Sequence, residues 1–264
     1  MKNIIFTDLD GTFLNHDDYS FLGAKEALSK ISEKKIPLIF TTSKTRVEVE
    51  LLQKKVGIKE PFIVENGAAI FIPKNYMNLD FSFLDSFNNY YIFQLGKTYS
   101  QILDFYNKYK YQFALKGFSD MSEDEVSSLT GLNLENSSYS KQRDFTEPFI
   151  LEDESKIQEL KELALSYGIK ITKGGRFYHL LGEGQDKGVA VKKAIKILSE
   201  ITNESFRTIA LGDGENDIEM LKSVDIPIVI KNHKDEYLET NIQNIQKSTL
   251  KGSFAWNEMV LKNV

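Results

Sequence analysis

Five short segments of the chain are continuously apolar rather than alternating: Asn3–Thr7, Pro37–Thr41, Pro61–Val64, Thr208–Leu211 and Ile226–Ile230. Such runs fit strands of a parallel sheet, whose two faces are both covered. Between them the apolar period changes. Val191, Ala194, Ile195 and Leu198 recur at i, i+3, i+4, i+7; Leu28 and Ile31 begin a shorter stripe, and Leu51, Leu52 and Val56 another. Each stripe gives a helix one apolar face. Strands alternating with amphipathic helices predict an α/β fold with a Rossmann-like parallel-sheet core.

The middle of the chain is patterned differently. From about Asp85 to Leu181 it is rich in Tyr and Phe, with more alternation in Tyr90–Leu95, Phe113–Leu115, Phe149–Leu151 and Phe177–Leu181. Helical stretches, Thr98–Tyr109 and Asp153–Tyr167, lie between. This predicts an inserted α+β domain with an antiparallel sheet, 85–181, that splits the core into 1–84 and 182–264.

Composition narrows the classes. With 264 residues, 41% hydrophobic and 27% charged, the chain is too apolar and too mixed in charge for disorder. No run reaches the roughly 18 apolar residues of a transmembrane helix. The N-terminal stretch turns acidic by Asp8 and lacks a secretory signal, so a cytoplasmic location is expected. The absence of cysteine removes disulfides, thiolate metal sites and cysteine nucleophiles together. A net charge of −5 gives no electrostatic case for nucleic acid or an anionic membrane as partner. A monomer or homodimer acting on a small molecule is expected.

Ligands of open parallel sheets bind beyond the carboxyl ends of the strands. There the chain places Asp8-Leu9-Asp10-Gly11-Thr12, then Thr41–Arg46, then Glu65-Asn66-Gly67, then Gly212-Asp213-Gly214-Glu215-Asn216-Asp217. Two acidic clusters meeting at one edge repel unless a cation or proton intervenes. Oxygen donors without sulfur favour a hard ion, Mg²⁺. Such an ion attracts phosphate, whose oxygens the Thr42 and Ser43 hydroxyls could bind. Asp8 would then be placed to attack phosphorus, and Asp10, two residues on, to pass a proton. Taken singly, each element has a plain alternative: Asp-Gly turns, a helix cap at Thr42–Ser43, a calcium-binding or simple loop at Asp213–Asp217. Their order along one sheet edge favours the chemical reading.

At these residues the chain resembles the haloacid dehalogenase-like hydrolase superfamily. All four motifs occur in order: Asp8–Thr12, Thr42, Lys187, and Gly212–Asp217. The resemblance implies Asp8 as the nucleophile that forms an aspartyl-phosphate. It implies Asp10 as general acid and base, which also binds Mg²⁺ through its main-chain carbonyl. Thr42 and Lys187 would hold the phosphoryl group, Asp213 would ligate the metal, and Asp217 would support it. An Asp at position 10 is typical of the superfamily's phosphatases and phosphomutases. An insert between the second and third motifs implies a second-type cap that covers the active site and selects substrate.

A closer resemblance is to the mannosyl-3-phosphoglycerate phosphatase family. It is carried by Thr41–Arg46, Pro61–Pro73, Gly117–Ser122, Lys141–Phe149 and Gly174–Leu180, which span nearly the whole chain. It implies removal of phosphate from a glycosyl-phosphoglycerate in compatible-solute synthesis. Thr42 stands where many relatives have Ser, and either offers a hydroxyl.

Arginine usage adds a separate hint. The chain has 4 arginines against 29 lysines, and Arg46, Arg143 and Arg176 fall in those segments. A guanidinium fork suits a carboxylate, and glycerate carries one beside its phosphate. Arg143 or Arg176, with Lys44, is therefore expected to hold it. An ion pair of Arg143 with Asp144 or Glu147 is the competing expectation. Glu147 and His179 could bond sugar hydroxyls, although a core position suits His179 equally. Asn66-Gly67 is expected as a tight turn at the site, and His16 and His233 as unpartnered surface residues. Three readings stay open: this phosphatase, a related sugar-phosphate enzyme of sucrose-phosphate or phosphomannomutase type, and a non-catalytic binding module. The intact Asp8–Asp10 pair argues against the last.

Overall fold

The structure, a computed structural model, describes residues 1–174 and 177–264. It divides into two compact units, one of Met1–Thr42, Lys59–Phe93 and Asp186–Val264, the other of Ser43–Ile58 and Gln94–Gln185. Its strands are β1 (Lys2–Thr7), β2 (Leu38–Thr41), β3 (Phe62–Val64), β4 (Ala69–Pro73), β5 (Asp85–Phe87), β6 (Tyr90–Gln94), β7 (Leu115–Gly117), β8 (Glu147–Leu151), β9 (Ile169–Gly174), β10 (Phe177–Gly182), β11 (Phe206–Gly212), β12 (Ile226–Lys231) and β13 (Gln246–Lys251). The helices are α1 (Lys25–Glu33), α2 (Arg46–Val56), α3 (Tyr99–Tyr109), α4 (Glu123–Thr130), α5 (Leu134–Lys141), α6 (Ile157–Leu165), α7 (Lys187–Thr202), α8 (Ile218–Leu221) and α9 (Gly252–Asn263).

The first unit is built on a nine-stranded sheet, ordered β13-β12-β11-β1-β2-β3-β4-β6-β5. The run from β13 to β3 is parallel, and the unbroken apolar segments supply its strands from β12 to β3. Ile4, Ile5 and Phe6 of the central β1 are wholly buried. The chain steps from β1 to β2 and β3 on one side, then returns to lay β11, β12 and β13 on the other. That reversal at β1 is where open α/β sheets bind ligands. β4 turns back antiparallel to β3, and β5–β6 is an antiparallel hairpin. Tyr90–Gln94, whose alternation suggested the inserted domain, thus joins the first sheet: it flanks the outermost strand, where one-sided burial produces alternation.

Amphipathic spacing foretells α7 well, though Ile197 rather than Ile195 takes the buried place beside Val191, Ala194 and Leu198. Asp186 caps it, accepting from the Val189 amide. α9 packs on α1, β12 and β13.

The second unit carries a four-stranded antiparallel sheet, β7-β8-β10-β9. α3 and α6 pack on it, closing a core of Ile102, Phe105, Tyr106, Phe149, Leu160 and Leu180. The tyrosines and phenylalanines of this segment are therefore mostly core. Phe118, Met121 and Val126 form a smaller core of their own. α2, α3 and α4 each start with a full capping box, at Thr45–Glu48, Thr98–Gln101 and Ser122–Glu125. Each such cap is worth about 1 kcal/mol.

Candidate active site

Thr7 of β1 lies in register with Leu211 of β11. The residues leaving these neighbouring strands, Asp8 and Asp213, therefore emerge side by side. The Asp8 amide donates to the Leu211 carbonyl at 2.9 Å, which continues the ladder one residue past the strand. Lys187 opens α7 and is fully buried. Its Nζ lies 2.5 Å from Asp8 Oδ1 and 2.6 Å from Asp217 Oδ1. The other oxygen of Asp217 accepts from the amides of Asp213 and Gly214, at 3.1 and 3.0 Å. Asp217 thus shapes its own loop while facing the lysine. Thr12 Oγ1 donates to Asp213 Oδ1 at 3.0 Å.

Carboxylate oxygens of Asp8, Asp213 and Asp217 all lie within 4.8 Å of one another. Burial, and then Asp217, push the Asp8 pKa well above the usual carboxylate range, although Lys187 pulls it down. Burial and Asp217 likewise raise Asp213, to about 7, with Asp10 adding to the rise. For Lys187, burial alone would lower the pKa; the charges of Asp217 and Asp8 outweigh it and hold the ammonium protonated. Three carboxylates facing one ammonium leave negative charge to be met, and an all-oxygen donor set suits a hard divalent cation. Gly11 fits the same purpose: a Cβ there would come within 2.5 Å of Asp213 Oδ2, so only glycine, at φ +80°, leaves that carboxylate room.

Thr42 is buried at the end of β2, its amide bonded to the Ile63 carbonyl and its carbonyl accepting from the Asn66 amide. The helix cap belongs to Thr45, not to Thr42 or Ser43. Glu65, Asn66 and Gly67 all have positive φ and form the tight turn between β3 and β4. A Cβ on Gly67 would lie 2.1 Å from the Asp186 carbonyl, so this turn rests directly on the start of α7. Asn66 Oδ1 accepts from Asn216 Nδ2 at 3.2 Å. The first unit therefore gathers Asp8, Asp10, Thr42, Asn66, Lys187, Asp213 and Asp217 at the carboxyl ends of its strands.

Ser43, Lys44, Arg143, Glu147 and His179 belong to the second unit. Lys44 pairs with Glu48 at 3.4 Å. Arg143 Nε donates to the Ser140 carbonyl and Nη1 to the Ser43 carbonyl, at 2.9 and 2.8 Å, with the guanidinium over the Phe118 ring. Glu147 is fully buried; Oε1 accepts from the Ser119 amide and hydroxyl, and Oε2 from the Tyr99 hydroxyl. Burial raises its pKa, and those bonds lower it only in part. His179 Nδ1 has no hydrogen-bond partner among the described residues. Burial first, then the charge of Arg143, depress its pKa to about 3, so the ring is neutral. Arg176 lies outside the described residues. Asp144 pairs with Arg46. His16 and His233 are exposed as expected but not unpartnered: their rings stack at 4.0 Å, because the loops after β1 and β12 bring them together.

The sequence reading gave no role to Thr12, although it stands inside the first motif. Ser119 and Tyr99, which hold Glu147, were given no role either, although Ser119 stands in the Gly117–Ser122 segment; only the pairing of distant elements reveals what they do.

A family model described as haloacid dehalogenase-like hydrolase matches residues 5–252. The chain belongs to that family. As a haloacid dehalogenase-like hydrolase it has near relatives. It is 52% identical over 257 residues to a glucosyl-3-phosphoglycerate/mannosyl-3-phosphoglycerate phosphatase of Persephonella marina, covering 97% of this chain and 95% of that one. A protein of the same description from Methanococcoides burtonii is 40% identical, with 99% and 97% covered. A mannosyl-3-phosphoglycerate phosphatase of Pyrococcus furiosus is 31% identical, with 94% and 99% covered. Among solved structures, the sucrose-phosphatase of Synechocystis, in complex with sucrose and phosphate, superposes with a TM-score of 0.64 at 16% identity, covering 99% and 98%. That likeness shows a shared fold. Among the described residues no helix is long and apolar enough to cross a membrane.

Proposed function

We propose that this hydrolase removes the phosphate of mannosyl-3-phosphoglycerate, and also of glucosyl-3-phosphoglycerate, through an aspartyl-phosphate on Asp8. The observation that carries the reading is Asp8 itself, a buried carboxylate at the switch point of the sheet, held by Lys187 and faced by Asp213 and Asp217. The relatives' activity supports the substrate. In the first step an Asp8 oxygen bonds to phosphorus as the bond to the glycerate oxygen breaks, and Asp10 protonates that oxygen. In the second, Asp10 takes a proton from water, which attacks the phosphorus and frees Asp8. Lys187 orients Asp8, offsets its charge and, with Thr42 and Ser43, binds phosphoryl oxygens. Asp8, Asp213 and the Asp10 carbonyl, with Asp217 behind, would hold Mg²⁺, whose chemistry is to neutralise the carboxylates and the phosphate together.

We read Asn66, Lys44, Arg143, Glu147, Arg176 and His179 as contacts to the rest of the substrate. The unpartnered Nδ1 of a neutral His179 supports a sugar hydroxyl as its donor. The test is phosphate release with Mg²⁺ from both glycosyl-phosphoglycerates and a panel of simple sugar phosphates. A kcat/KM for either glycosyl-phosphoglycerate well above the panel is expected. Equal or better turnover of simple sugar phosphates overturns the substrate and keeps the chemistry.

A further inference from the structure

Trp256 is the chain's one tryptophan and is fully buried in α9. Its indole Nε1 lies 3.0 Å from Thr7 Oγ1, and Thr7 Oγ1 lies 2.8 Å from the carbonyl oxygen of Asp8. An indole nitrogen is a donor only. This fixes the polarity of the pair of bonds: Thr7 Oγ1 accepts from Trp256, and its single proton goes to the Asp8 carbonyl. The Asp8 amide is already committed to Leu211. Both backbone polar groups of Asp8 are thereby held, one by β11 and one by a relay that begins in α9. The same indole packs edge-on against Phe13, at 5.1 Å and 81°. Phe13 in turn lies against Phe21 and Phe40. Trp256 therefore touches residues 7 and 13, the two ends of the segment that carries Asp8 and Asp10.

We infer that Trp256, acting through the Thr7 hydroxyl, is a positioning residue that sets the direction of the Asp8 carboxylate. This rests on the reading of Asp8 as nucleophile. Neither Trp256 nor Thr7 touches the reacting atoms. Lys187 holds one oxygen of the carboxylate, the two backbone bonds fix the strand end from which it projects, and small misplacements of a reacting group cost large factors in rate.

The experiment compares the wild-type chain with Thr7→Val, Thr7→Ser, Trp256→Phe and the Thr7→Val/Trp256→Phe double variant. Phosphate release from mannosyl-3-phosphoglycerate with Mg²⁺ and thermal midpoints are measured on each. Thr7→Val and Trp256→Phe are expected to lower kcat about 10- to 100-fold, with KM within about twofold because binding groups are untouched. Thr7→Ser restores most of the rate. Since both single changes break one relay, the double variant loses no more than the worse of them. A folded Thr7→Val or Trp256→Phe enzyme with wild-type kcat, or losses that multiply in the double variant, overturns the inference. A second measurement needs no variant and no turnover: the single indole N–H resonance of the wild-type chain, followed as Mg²⁺ and orthovanadate are added. It is expected to shift as Asp8 is engaged; a line that does not move overturns the positioning role even if the variants fail to fold. A wild-type chain that releases no phosphate from the whole panel overturns the catalytic reading, while the indole line still decides this inference.

Discussion

Each unit buries a carboxylate, and the two are treated in opposite ways. Asp8, in the first, faces Lys187 and two further carboxylates, so its surroundings are charged and left net negative. Glu147, in the second, is met by neutral donors, Ser119 and Tyr99, which engage both its oxygens. Burial raises the pKa of both. The difference lies in what remains to be supplied. The cluster at Asp8 keeps an excess of negative charge that a cation could meet, whereas both oxygens of Glu147 are already met by its own chain. Burial and a displaced pKa alone therefore do not mark a reaction centre; what separates the two sites is the excess of like charge that Asp8 carries at the sheet's switch point.

That contrast can be broken by experiment. Asp8→Asn should abolish turnover, since an amide cannot serve as the nucleophile; phosphate release at more than a trace would remove Asp8 from the reaction. Lys187→Met leaves two buried carboxylates without their cation and should cost about 3–5 kcal/mol of stability, read as a lower midpoint in urea or heat. An unchanged midpoint would mean the lysine offsets little charge. Asp10→Asn should lower kcat about 10²–10⁴-fold while the chain stays folded. Chelation of divalent ions should silence the enzyme, with Mg²⁺ restoring it; chelator-resistant turnover contradicts the cation-completed cluster.

The smallest effect belongs to the second unit. His179 titrates near 3 when folded and near its ordinary 6.5 when unfolded. Below pH 6.5 the unfolded chain takes a proton that the folded chain refuses, so stability falls as pH drops from 6.5 toward 3. The ring is only half-buried, and solvent screening limits the total to about 1 kcal/mol. His179→Gln should flatten that part of the stability–pH curve. An identical slope in the variant assigns the loss to other groups.

The first sheet was legible where it is most regular. Unbroken apolar runs mark β1, β2, β3, β11 and β12 because both their faces are covered. β13 escaped notice: it is an edge strand, Gln246–Lys251, mostly polar and exposed, with only Ser248 buried. β4 was only partly legible: Asn66-Gly67 reads as a tight turn, but the apolar stretch after it was not read as a strand turning back on β3. At the site, Asp8, Lys187, Asp213 and Asp217 were legible as a family pattern, and the fold brings them within bonding reach. Trp256 and Thr7 were not, because a hydrogen bond between residues 249 positions apart has no periodicity to betray it.

The discontinuity of the first unit bears on how the molecule is made. β1 leaves the ribosome well before its partner β11, which lies some 200 residues downstream, the separation of Thr12 from Asp213 being 201. At roughly 5–20 residues per second the strand that leads into Asp8 waits about 10–40 s with one edge bare. A nascent chain halted before Phe206 therefore presents a half-sheet with an open hydrogen-bonding edge, a target for chaperones rather than an enzyme. Catalytic competence arrives late and all at once, when the returning segment closes the sheet.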